Sequence, residues 1–189
     1  MHEKITMLLR ITYYVPRITH HSYMRTRRRG RELALKLLYG FDLLPRDVDA
    51  TLQEFWSLTR YPEGIREFAE QLVRGTLGHK TEIDEFIAKN AINWTIERMM
   101  VVDRNILRCA VYELLYEDVI PPKVTINEAL DIAKKYSTPK SSAFINGILD
   151  HILHILQKEG VLHLTAGNPS SQDDANNQEI PDRDEVASD

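Results

Sequence analysis

Five arginines within seven positions, Arg25, Arg27, Arg28, Arg29 and Arg31, stand directly ahead of the apolar-patterned run E-L-A-L-K-L-L-Y. Guanidinium groups make forked bonds to phosphate and stack on unpaired bases, so this spacing can hold a polyanion. The run falls where a helix should begin, and a helix N-terminus already carries partial positive charge. Such a cluster is costly without an anion, and that conflict favours a bound one. Two other uses of the same residues stay open: a solvated cationic cap, and a membrane-surface helix with Leu33, Leu37 and Leu38 as its apolar face. A globular core would need those leucines as well.

A second charged cluster, Glu97, Arg98, Asp103, Arg104 and Arg108, surrounds the start of a very apolar segment. Its charges are expected on the one strip that such a helix leaves exposed. There they would form a salt-bridged surface or meet a protein partner.

Other chemistry is thin. The chain has no G-x-S-x-G elbow, no G-x-x-x-x-G-K-[ST] phosphate loop and no G-x-G-x-x-G after a strand. Of the seven histidines only His151 and His154 share a helix face, with no third ligand beside them, which reads as surface rather than a metal site. The single cysteine, Cys109, rules out an intrachain disulfide or a thiolate cluster and fits a reducing compartment. The stretch Gly75-Thr76-Leu77-Gly78 matches the G-x-x-G loop of KH domains, but that loop needs a sheet beside it and no strand pattern is visible. Neither catalysis nor a cofactor is expected.

The elements that must position these residues have a helical period throughout. Leu33, Leu37, Leu38, Phe41 and Leu44 recur every three to four residues, which predicts a helix from 25 to about 43 stopped by Pro45. Leu52, Phe55 and Trp56 mark a short second helix; Ile65, Phe68, Leu72 and Val73 a third, with a break near Gly78; Ile83, Phe86 and Ile87 a fourth, ending at 90–93. Val102, Ile106, Leu107, Cys109, Ala110, Val111, Leu114 and Leu115 make a fifth that is apolar nearly all round, as a central helix would be. Thr125-Ile126-Asn127-Glu128 reads as a capping box opening the sixth. A seventh runs through Phe144, Ile145, Ile148, Leu149, Ile152 and Leu156, so Asn146-Gly147 is expected to be helical despite its turn-like composition.

The chain has 189 residues, 43% hydrophobic and 28% charged, enough for one domain with extensions. Its net charge of −4 conceals an asymmetry: residues 1–40 carry nine Lys/Arg against two Asp/Glu, residues 160–189 one against seven. Phosphate affinity follows local positive density, so the basic front end keeps its meaning despite an overall pI near 6.0. No apolar run approaches the roughly 18–20 residues of a membrane span. The expected organisation is an N-terminal extension over 1–24, with Met24 as a candidate start, a helical domain over 25–158, and a disordered acidic tail over 159–189.

Four segments carry a family resemblance: R-R-R-G-R-E-L-A-L-K-L-L-Y (27–39), D-R-N-I-L-R-C-A-V-Y-E-L (103–114), V-T-I-N-E-A-L-D-I-A-K-K-Y (124–136) and F-I-N-G-I-L-D (144–150). In this order the chain resembles the NusB family of bacterial transcription antitermination factors over about residues 25–157. The resemblance implies an all-α fold of about seven helices packed as two small bundles, no enzymatic activity and a cytoplasmic location. It implies binding of the boxA element in ribosomal RNA leader transcripts, jointly with the ribosomal protein NusE, within the RNA polymerase antitermination complex. Carried over by position, Arg27, Arg28, Arg29, Arg31, Lys36 and Tyr39 would face RNA, with Phe144 and Asn146 on a second surface. Lys140, where some relatives carry acids, would add positive charge there. Glu97, Asp103 and Arg108 would face NusE. The family includes monomers and dimers, and a homodimer would cover the arginine helix. Two alternatives remain at this stage: a helical interaction module without specific RNA function, and a fragment related to the N-terminal domains of ribosomal RNA methyltransferases.

Overall fold

The computed structural model describes residues 20–160, with side chains from Arg25 onward. The expected extension over 1–24 and tail over 159–189 therefore lie outside the described residues, apart from 20–24, which open the first helix, and 159–160. Among the described residues seven α-helices follow one another: α1 (His20–Leu43), α2 (Val48–Leu58), α3 (Glu63–Gly78), α4 (Lys80–Asn90), α5 (Val101–Tyr116), α6 (Pro122–Tyr136) and α7 (Ser141–Lys158). A single 3₁₀ turn, Ile96–Arg98, sits between α4 and α5, and the described residues form no strand. The all-α expectation holds.

Helix α5 is the axis of the described residues, packing against α1, α3, α4, α6 and α7. Ile106, Leu107, Cys109, Ala110, Val111 and Leu114 are all buried on it, which is why its apolar residues run round the whole helix. Helix α1 lies along α3, burying Leu33, Ala34, Leu37, Leu38 and Phe41. Gly30 makes that approach close: a Cβ there would stand 2.7 Å from Phe68 Cδ1, so only glycine admits α3 at this distance. Helix α6 packs on both α5 and α7, and Ile145, Leu149 and Ile152 of α7 are wholly buried.

The helix boundaries follow local chemistry. Asp47 caps α2 by accepting from the Ala50 N–H at 2.8 Å. The expected break near Gly78 falls at His79, which ends α3 and opens α4. The stop expected at 90–93 is a loop in which Asn93 adopts φ of 65°, a left-handed conformation that asparagine tolerates. Asn146-Gly147 lies within α7, as its helical spacing predicts.

The capping box is a correction. Helix α6 starts four residues earlier, with Pro122 at its first position, where a missing N–H costs nothing. Thr125 and Glu128 lie inside the helix and are buried, turned toward α5 and α1. Gly75 to Gly78 form the last turn of α3, so the G-x-x-G match is a helix end and not a nucleic-acid loop.

Candidate nucleic-acid interface

The arginine run of α1 divides by helix face. Arg25 and Arg29 are exposed and, with Glu32, Lys36 and Tyr39, recur at intervals of three or four along one side. Glu32 turns this stripe toward α6: it accepts from Lys135 Nζ at 2.7 Å and from the Tyr136 hydroxyl at 3.1 Å. Lys36 Nζ lies 5.9 Å from the Tyr136 ring centre. The stripe therefore continues onto the end of α6, where Lys134 and Lys135 are exposed.

Arg28 occupies the border. Its Nε and Nη2 donate to the two carboxylate oxygens of Glu128 at 2.9 and 2.8 Å, and Nη2 also to Asp131 at 2.6 Å. The Glu128 hydrogen bond is the main cause that raises its pKa, against a smaller opposing effect of burial. About half of the side chain remains exposed. Arg27 lays its guanidinium 4.1 Å over the Phe68 ring.

Arg31 does not belong to the surface. It is 5% exposed and forks onto Glu113, itself 1% exposed, with Nε and Nη2 donating at 2.7 and 2.6 Å. Burial alone would lower its pKa, but the hydrogen bonds and charge of Glu113 more than offset this. The expectation that Arg31 meets RNA is corrected: α1 carries it inward, where it joins α1 to α5.

Lys140, Phe144 and Asn146 lie at the beginning of α7. Lys140 is exposed. Phe144 meets Trp94 edge to face with ring centres 5.0 Å apart, and Asn146 donates to Asp150 at 2.7 Å. These partners belong to the α4–α5 loop and to α7 itself, so this patch is built separately from the α1 stripe.

The charges expected to face a protein partner are placed unequally. Glu97 is fully exposed in the 3₁₀ turn, its carboxyl held below the usual range by a backbone N–H and by the Thr95 hydroxyl. Asp103 is buried, accepting from Ser137 Oγ at 2.5 Å and Ser141 Oγ at 2.8 Å beside the N-terminus of α7. Arg108 is buried too, forking onto Asp84 of α4 at 2.6 and 2.9 Å and donating to Asp42 of α1 at 3.0 Å. Assigning Asp103 and Arg108 to an exposed strip is therefore a correction. An apolar helix can keep its charges inside when each finds a counter-charge or hydroxyl on a neighbour.

Sequence reasoning missed those neighbours: Asp42, Asp84 and Glu113. Each is an acid set among buried apolar residues of its own helix, beside Leu38 and Phe41, Ile83 and Ile87, and Leu114. That pattern was the available signal. Trp94 was missed as well; it is 43% exposed in the short loop after α4.

Cys109 is buried, and burial pushes its thiol pKa far up, so the thiolate is disfavoured. His151 and His154 are exposed, and among the described residues no three His, Cys, Asp or Glu side chains are grouped to hold a metal. No helix among the described residues is long and apolar enough to cross a membrane.

Fold and surface together define a helical binding scaffold, with one cationic stripe outside and paired charges inside. The NusB family model matches residues 28–154. A Geobacter sulfurreducens transcription antitermination protein NusB is 49% identical over 139 residues, covering 72% of this chain and all of the relative. The corresponding protein of Trichlorobacter lovleyi is 48% identical over 129 residues, 68% of this chain and 91% of its own length. Among solved structures, T. maritima NusB shares 41% identity with a TM-score of 0.62, covering 68% of this chain and 90% of that one. The NusB chain of a crystal structure of antitermination factors NusB and NusE with double-stranded RNA shares 31% identity, TM-score 0.63, over 70% of this chain and 98% of that one. The chain belongs to the NusB family of transcription antitermination factors, which are not enzymes.

Proposed function

We propose that the protein binds the boxA element of ribosomal RNA leader transcripts together with NusE and supports ribosomal RNA transcription within the RNA polymerase antitermination complex of the bacterial cytoplasm. The observation that carries this reading is the α1 stripe: Arg25, Arg29, Lys36 and Tyr39 share one exposed face, extended by Lys134 and Lys135 of α6. Cations at helical spacing with an aromatic ring at the end of their row suit a single strand, whose phosphates and unstacked bases are read together. A solved structure of antitermination factors NusB and NusE in complex with double-stranded RNA, to which this chain is similar, supports RNA and NusE as the partners. Arg28, half-exposed beside Glu128 and Asp131, would exchange its acidic partners for phosphate at the edge of the site.

A salt titration of binding to a boxA-like single-stranded RNA and to a scrambled control, with and without NusE, tests this. Selective binding that tightens in the presence of NusE is expected. Equal binding of both RNAs, unaffected by NusE, would reduce the stripe to a general cationic surface.

A further inference from the structure

We propose that Trp94 is a base-stacking residue, which receives an unpaired nucleobase of the bound RNA on the α7 side of the molecule; this rests on the RNA-binding reading above. The α4–α5 loop presents the indole outward. Asn93 turns the chain with φ of 65°, the Trp94 N–H closes onto the Ala91 carbonyl at 3.0 Å, and Ala91 beneath is buried. The ring is steadied on two sides: Phe144 of α7 stands edge to face at 5.0 Å, and the Arg98 guanidinium lies 5.5 Å from the ring centre. A tryptophan held by an aromatic edge and a cation, yet 43% exposed, is a rigid stacking platform.

Charge favours a nucleic-acid occupant over a protein one. Lys140 lies one helical turn before Phe144, so with Arg98 it adds positive charge to the elements that hold the indole. Glu97, next to Arg98 in the 3₁₀ turn, is an exposed acid neighbouring this cation. The exposed side chains Ile92 and Met100 flank the loop and offer further apolar surface to a splayed base. A π-face accepts any base, so Trp94 adds affinity with little sequence preference.

The experiment uses the full chain with NusE and a boxA-like single-stranded RNA, comparing Trp94→Ala, Trp94→Phe and the unsubstituted protein. Trp94→Ala is expected to weaken RNA binding about tenfold, with Trp94→Phe recovering most of the loss because a ring remains. RNA should quench tryptophan fluorescence in the unsubstituted protein and not in Trp94→Phe, where buried Trp56 is the remaining indole. Unchanged RNA affinity in Trp94→Ala, or a loss of NusE affinity with RNA affinity intact, overturns the inference and makes the loop neutral or a protein-docking surface. Absence of RNA binding by the unsubstituted protein would overturn the function and this inference together, and so is distinguishable from failure of Trp94 alone.

Discussion

Replacing Arg31 with methionine keeps most of the buried stem but removes the cation from a pair whose members are 5% and 1% exposed. Glu113 would then retain only the Thr125 hydroxyl, 3.3 Å away. Breaking a buried pair in this way costs about 3–5 kcal/mol, because the remaining charge is desolvated without a partner. For a domain of this size that corresponds to a Tm lower by about 10–15 °C. The double variant Arg31→Met/Glu113→Leu removes the stranded charge as well and should return to within about 1 kcal/mol of the unsubstituted protein. Glu128, 3.9 Å from Arg31, keeps its Arg28 partner throughout. Thermal and urea unfolding followed by circular dichroism gives the complete double-mutant cycle. The double variant should also bind RNA with an unchanged salt dependence, since Arg31 does not reach the surface. Additive losses in the cycle would refute the pair as the origin of the cost. An RNA affinity that falls in a well-folded double variant would return Arg31 to the interface.

Three further outcomes follow from the geometry. Arg29→Ala and Lys140→Glu should each weaken RNA binding, and Arg29→Ala should make the slope of log affinity against log salt shallower by about 0.7; thermal stability should hardly change in either, and an unaltered slope for Arg29→Ala would exclude it as a phosphate contact. Gly75→Ala should destabilise by about 1–3 kcal/mol, because its Cβ would run into the Tyr112 ring. Gly78→Ala, with open space around it, should be neutral or stabilising, so equal melting shifts for the two would remove the steric explanation. Burial raises the Asp42 pKa, but the hydrogen bond from Arg104 and the charge of Arg108 outweigh it and leave the carboxyl below its ordinary value. The resulting stability is present at neutral pH and lost as pH falls through the depressed pKa. Asp42→Asn should therefore be less stable at pH 7 and show a flatter acid limb in urea midpoints; parallel pH profiles would contradict this.

Much of the fold is legible in the chain because helices announce themselves locally. The apolar spacing of 33–41, the stop at Pro45 and the loop after Asn90 each depend on a few adjacent residues, and the structure places them as the spacing predicts. The four family segments are equally local. Charge placement is a different kind of fact: Arg31 looks like its neighbours Arg28 and Arg29 until its partner is known, and that partner lies 82 positions away. Thr125 and Glu128 fit a capping rule by type and spacing, but Pro121 and Pro122 begin the helix first and free both side chains for tertiary contacts. Asp103 and Arg108 went to the wrong side for a related reason. Periodicity tells which face of a helix is apolar, and it is silent on whether a charge on that face is answered from across the interface.

The three buried charges of α5, Asp103, Arg108 and Glu113, follow one another at intervals of five, so each points about 140° around the helix from the last. They address different neighbours: Asp103 the start of α7, Arg108 the acids of α1 and α4, Glu113 the arginine of α1 and the threonine of α6. Leucine against leucine can slide by a turn and still pack tolerably. A slip of one turn, about 5.4 Å, would take a fork such as Arg108 on Asp84 out of reach and strand both charges in the dark. The axial helix thus works like a key cut on three edges: it admits its neighbours at one height and one rotation only, and the distance between the α1 stripe and the patch at the start of α7 is set by that fit.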